Sequence, residues 1–316
     1  MTILMTGLCE KGADQIWKQC NDAMYAQGVT WLEEAAYAGD AEAWFFLGHC
    51  YSWGDGAVGF NEKKAYECYL RGASAGSARA VLGALRAGQY DEQMKQSARY
   101  SIEESYRQVR DAAEMGDVYA AWQMGEAVEW EDLADYMPQT ESAREQCLFW
   151  YERAADGGII PAMVKMGKCC QNGTYREKDE KEALRWANQC AASGEVWGLF
   201  QMGEHYRQEE DWEAAFQYDY AAAKQGSSRA MLYLGQMYLN GQGTERDIQA
   251  AVQALEGAAA RNEAESFEEL GNLFYQDELV ERDDEKAFYW YGKAYAAGIK
   301  EAALPLARLY LRPSDE

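Results

Sequence analysis

Proline is scarce in this 316-residue chain, at four residues, and histidine is scarcer still, at two. So few prolines leave helices uninterrupted, and the wealth of Ala, Glu, Gln, Leu and Met favours them. With His49 and His205 alone, no third histidine exists to complete a histidine-based metal site, and catalytic triads are not expected. Positive charge is also short: 30 Lys and Arg stand against 53 Asp and Glu, a formal charge of −23. Such a surface repels nucleic-acid phosphates and anionic lipid headgroups, and it attracts basic partners. No apolar run approaches the roughly 18 residues that cross a bilayer. The first residues, MTILMTGLCEKGADQIW, have no basic segment and no apolar run beyond Ile3, Leu4 and Met5. They do not read as a signal peptide, Leu8 before Cys9 argues against a lipoprotein site, and the cytoplasm is the expected location.

What the chain does have is repetition. The stretch Arg229 to Asn262 places small and apolar residues at three- and four-residue steps, breaks at Gly241 and Gly243, then resumes with alanine at helical spacing. That is one helical hairpin. Aligned on the glycine inside each first helix, the chain gives Gly48, Gly83, Gly125, Gly167, Gly203, Gly235 and Gly271, with Ala307 in the same role; the spacings are 35, 42, 42, 36, 32, 36 and 36 residues. A second series, Gly39, Gly76, Gly116, Gly158, Gly194, Gly226, Asn262 and Gly298, keeps step with it. Gly and Asn tolerate the left-handed backbone that ends a helix, so this series marks the C-terminal caps of the second helices. Two series in step predict a solenoid of stacked hairpins. Around them stand columns: Leu or Met one residue before the first-helix glycine, mostly Ala five before it, and often Trp (Trp31, Trp150, Trp186, Trp290) eight before the cap.

The segments LGHCYSWGDG and KKAYECYLRGASAG, within Ala43 to Gly76, and DEKAFYWYGKAYAAG, ending at Gly298, carry a pattern that resembles the Sel1-like repeat, a relative of the tetratricopeptide repeat. The resemblance implies an all-α fold, a right-handed α-solenoid in a single domain over 1–316, with about seven full repeats and half-repeats at each end. The repeats over 77–158 are irregular: the second has lost its loop glycines and Trp, and the third carries an acidic insertion. By the same resemblance first helices line a concave groove, which brings to it Phe45, His49, Trp53, Tyr119, Trp122, Glu126, Glu129, Trp130, Trp197, Phe200, Glu204, Arg207, Tyr275 and Arg308. Aromatics interleaved with charge are what binding hot spots are made of. The plainer alternative is that Phe45, Trp122 and Phe200 pack against the next repeat.

Candidate chemistry is thin. Six of the eight cysteines fall in columns of small or core residues, no C-x-x-C occurs, and no cysteine pair recurs from repeat to repeat, so free thiols are expected. Carboxylate runs such as Glu209, Glu210 and Asp211 are ordinary in an acidic chain, and Gly54-Asp55-Gly56 and Gly241-Gln242-Gly243 read as repeat turns, not phosphate loops. The most informative irregularity is Glu126 to Glu145, EAVEWEDLADYMPQTESARE, with seven acids, one Arg, and Trp130, Tyr136 and Met137. Insertions between repeats tend to emerge on a binding face. It suggests docking of a basic surface through Glu126, Glu129, Trp130, Glu131 and Asp132; the alternative is a longer loop whose Trp130 folds back. The long connection Gln89 to Ser105 is of mixed charge and suggests less.

The expectation is a non-catalytic binding protein with no cofactor and no metal, whose partner is a protein rather than nucleic acid or membrane. Its inferred partner-binding residues are Trp53, Tyr119, Trp122, Glu126, Glu129, Trp130, Glu131, Asp132, Trp197, Glu204, Arg207 and Tyr275. Some Sel1-like proteins are immunity partners of antibacterial toxins, and an acidic member is similar to these, gripping a basic toxin or effector domain. The alternative is a cytoplasmic regulatory adaptor or scaffold.

Overall fold

The computed structural model of the protein describes residues 2–18, 22–54, 58–130, 143–276 and 279–311. Among them every regular element is helical, and contacts gather the chain into two compact units, Met1–Gly194 and Glu195–Glu316. Unit 1 opens with the hairpins α1 (Thr2–Trp17) with α2 (Asp22–Tyr37), and α3 (Ala41–Trp53) with α4 (Glu62–Ala75). Next, α5 (Ala78–Arg86) pairs across the short α6 (Glu92–Ser97) with α7 (Ile102–Glu114). Then α8 (Val118–Glu129) pairs with α9 (Ala143–Asp156), and α10 (Ile160–Asn172) with α11 (Glu180–Ala192).

Unit 2 pairs α12 (Val196–Gln208) with α13 (Trp212–Lys224), α14 (Ser228–Asn240) with α15 (Ile248–Ala259), and α16 (Ala264–Tyr275) with α17 (Asp284–Ala296). A 3-10 turn, Lys300–Ala302, and α18 (Ala303–Tyr310) follow. This is the all-α architecture of stacked hairpins that the two glycine series imply.

The helix ends follow from local chemistry. Asp40 accepts hydrogen bonds from the N–H groups of Glu42 and Ala43 at the start of α3, and Ser101 with Glu104 forms a reciprocal capping box on α7. At the other end, every member of the cap series has positive φ, from 60° at Asn262 to 104° at Gly76. The alanine column just before each cap is buried to within a few per cent at Ala35, Ala73, Ala113, Ala154, Ala222, Ala258 and Ala294.

Glycine inside the first helix has a different purpose. A methyl group at Gly48 would lie 2.7 Å from the Tyr69 ring, at Gly271 2.7 Å from Tyr291, and at Gly235 2.6 Å from Leu255. In these hairpins the second helix lays a large side chain directly on the first helix's backbone. Gly12 obeys the same rule, facing Leu32 at 2.8 Å, and it lies 36 residues before Gly48. The N-terminal segment, expected as a half-repeat, is thus a full hairpin in register with the rest. In the second repeat α5 is only nine residues long, and the long connection after it is held down by Met94 of α6, which is fully buried. The acidic insertion, including Glu131 and Asp132, lies outside the described residues over 131–142.

These contacts give opposite expectations for two glycines of one hairpin. Gly271→Val drives a branched side chain into Tyr291 and is expected to destabilise unit 2 by about 1–3 kcal/mol. Gly292→Ala, mid-helix with open space around its added methyl, is expected to stabilise by about 0.5–1 kcal/mol. Urea unfolding of the two variants reads both signs.

Candidate protein-binding face

On the first helices of unit 1, the position five residues after the glycine carries Trp17, Trp53 and Trp130. Trp17 is 2% exposed. Its ring meets Phe46 at 5.2 Å and His49 at 5.6 Å on α3, and Tyr119 at 6.1 Å and Trp122 at 5.7 Å on α8. The Tyr119 hydroxyl donates to Asp14 Oδ1 at 2.7 Å, and His49 lies 4.8 Å from Trp122. Tyr119 and Trp122, expected on an open groove wall, are buried with Phe45 and His49. The expectation of an open trough is corrected here: the chain's own α1 fills the space between α3 and α8, because their aromatic side chains are long enough to meet in the middle.

What stays open is the outer edge of that cluster. Trp53 is 47% exposed and Trp130 59%, and the Arg86 guanidinium lies between them, 5.0 Å from one ring and 4.5 Å from the other. Trp53 and Arg86 are the last residues of α3 and α5, and Trp130 is the C-cap of α8. Three helix C-termini thus present the negative ends of their dipoles to one cation. A cation between two aromatic faces is held by both rings. Beneath it a cleft is lined by Phe45, His49, Tyr69, Leu82, Gln123 and Glu126, its inner space of about 20 Å³ enough for roughly one water. Glu126 places a carboxylate oxygen 4.0 Å from His49 Nε2. Glu129, expected to face a partner, is instead engaged within the protein: it accepts the Tyr151 hydroxyl at 2.7 Å and pairs with Lys165.

In unit 2 the expected residues fall into separate places. Arg207 stacks 3.7 Å over Tyr233 and 5.5 Å from Phe200, and its guanidinium pairs with the buried Asp219. Glu204 accepts from Gln201 at 3.3 Å. Trp197 is half-buried, Tyr275 packs against Arg282 and Tyr291 within its own hairpin, and Arg308 is exposed on α18. The seven described cysteines are buried, and burial pushes the Cys68 and Cys147 thiols up to about 12, far from the thiolate form that reacts. No group of three or more His, Cys, Asp or Glu side chains among the described residues is placed to hold a metal ion, and no described helix is long and apolar enough to cross a membrane.

The Sel1 repeat pattern matches six stretches, 23–40, 41–77, 118–159, 160–195, 228–262 and 268–299, together more than half of the chain. The chain belongs to the Sel1 repeat family. Sel1 repeat proteins are a protein-interaction scaffold type, and the hairpins described above are their repeats. The stretches left unmatched between repeats are the short-α5 repeat and the Asp219 repeat, where the columns are least regular. Among solved structures, the fold is similar to a protective antigen present in uropathogenic Escherichia coli strains that displays an SLR fold (TM-score 0.55, 21% identity, covering 90% of this chain and 68% of that one). It is equally similar to a Sel1 repeat protein from Oxalobacter formigenes (TM-score 0.55, 21% identity, 96% and 86% covered). A curated relative, an uncharacterized protein of Neisseria meningitidis serogroup B, is 28% identical over 156 residues; the match covers 48% of this chain and 30% of that protein's length.

Two tryptophans from one column are expected to behave oppositely. Trp17→Ala empties the centre of the cluster and is expected to destabilise by about 3–5 kcal/mol. Trp130→Ala, at the exposed edge, is expected to change stability by about 0.5 kcal/mol or less. Thermal and urea unfolding of the two variants check the order.

Proposed function

We propose that this Sel1 repeat protein is a non-catalytic binding protein that captures a basic protein domain through the edge formed by Trp53, Arg86 and Trp130, with Glu126 beside it. The observation that carries the reading is two exposed indoles, one at the end of α3 and one at the end of α8, with Arg86 from α5 between them. Exposed tryptophans on a rigid scaffold bury large area at small entropic loss, which is the signature of an interface centre. The charge of −23 selects for a basic partner and speeds its approach. Arg86 lies against both indoles, while the wider acidic surface supplies the attraction.

In its most specific form the partner is a basic toxin or effector domain, and the protein is its immunity partner, acting in the cytoplasm. Co-expression with a toxin encoded beside its gene is expected to restore growth and to yield a complex that weakens as salt rises. Absence of both rescue and complex overturns the immunity reading. A Trp53→Ala, Trp130→Ala double variant is expected to lose at least about thirtyfold in affinity, as removal of a binding hot spot does. Glu126→Lys is expected mainly to slow association. A variant complex as tight as the wild type's would remove this edge from the interface. The second reading, a regulatory adaptor or scaffold, draws on the separate Phe200, Arg207 and Tyr233 cluster of unit 2. It predicts a partner whose binding survives the double variant and is lost on Tyr233→Ala.

A further inference from the structure

Seven residues before each cap, the second helices carry Leu32, Tyr69, Val109, Tyr151, Ala187, Leu255 and Tyr291, all buried. In the hairpin of α12 and α13 that position is Asp219, 0% exposed. It lies where Leu255 and Tyr291 lie in their own hairpins, against the first-helix backbone: a methyl group on Gly203 would come within 2.5 Å of its Oδ1. Its Oδ2 pairs with Arg207, and among the described residues neither Asp219 Oδ1 nor Arg207 Nη2 has a hydrogen-bond partner. Arg207 in turn lies flat on Tyr233 of α14, so one carboxylate fixes a guanidinium that ties three consecutive helices together. A fully buried carboxylate with one charged partner and one unsatisfied oxygen is poorly solvated for its charge.

We propose that Asp219 is a positioning residue that, while ionised, holds Arg207 across the α12 and α14 surface of unit 2 and, on taking a proton, releases it, so that the charge this surface offers a partner changes with pH. The charged groups facing the carboxyl are Arg207 and Glu204, both from α12; from α14 the Tyr233 ring reaches the pair through the guanidinium. Desolvation by burial is the largest influence, followed by Arg207 pulling the other way and Glu204 adding repulsion; together they push the carboxyl up to about 6. The pair is therefore closed near neutral pH and opens on mild acidification. An acid raised in the folded state stabilises the fold in its neutral form. That contribution is complete below the unfolded value near 3.9 and is lost as pH rises through about 6, roughly a hundredfold in the folding equilibrium. Ionised Asp219 is thus kept at the expense of stability, as expected of a residue retained for what it positions.

The test needs no partner, so it stands or falls separately from the binding reading above. Full-length protein carrying His205→Asn, which removes the imidazole on the same helix, is labelled at aspartate carboxyl carbons and arginine side chains and titrated by NMR. Asp219, assigned by its absence in Asp219→Asn, is expected to titrate near pH 6. The Arg207 Nη1–H, which donates to Asp219 Oδ2, is expected to exchange more slowly than that of an exposed arginine above the midpoint and to lose this protection below it. Glu204→Gln is expected to lower the midpoint and Arg207→Met to raise it, each leaving the step in place. The proposal is overturned if Asp219 titrates at or below about pH 4, if the Arg207 signal is indifferent to the step, or if the midpoint ignores both neighbours. Should Asp219→Asn not fold, Asp219→Leu, the residue its column holds at position 255, serves for assignment.

Discussion

The contact between a glycine in one helix and a large side chain in the next is the constraint on which the hairpins depend. Where Gly48 meets Tyr69, Gly125 meets Tyr151 and Gly271 meets Tyr291, the tyrosine ring lies against bare backbone. That brings the two helices of a hairpin closer than any Cβ would allow. It also lets the phenol reach along the helix it rests on and find a partner there, as Tyr151 does with Glu129 and Tyr291 with Asn272. A buried phenol without such a partner would be destabilising. One missing methyl group thus sets both the packing distance and the need for a polar residue on the first helix.

The same close approach explains why the inner part of unit 1 is full. With the hairpins drawn tight, Trp17, Phe46, His49, Tyr119 and Trp122 meet ring to ring. Aromatic residues that would line a wider trough become core. The exposed aromatic rings are left at the outer edge, where helix ends rather than helix faces present Trp53 and Trp130 beside Arg86.

The periodicity was readable because its residues are irreplaceable for local reasons: φ near 100° at a cap, or no room for a methyl group. Such positions repeat at a fixed distance and declare themselves in a single chain. Gly12 was equally readable, 36 residues ahead of Gly48, and it places Trp17 in the column of Trp53 and Trp130. The burial of Tyr119 and Trp122 was not, since it arises between helices about a hundred residues apart, where spacing along one helix is silent. Glu129 looked like a surface acid for the same reason: its partners Tyr151 and Lys165 lie on other helices. Asp219 left a trace, a lone acid in a column of Leu, Val, Ala and Tyr, visible only when the column seven before the cap is compared across repeats.

Trp53, Arg86 and Trp130 come from three consecutive repeats, and none of them makes the stacked arrangement with a residue of its own hairpin. Duplication of a hairpin copies the scaffold but not this edge, which exists only in the order in which these three copies stand. Recombination that adds or deletes one repeat inside the trio would leave a well-folded array with the edge erased. Shuffling whole units would therefore remake or remove such an edge without a single substitution in any of them.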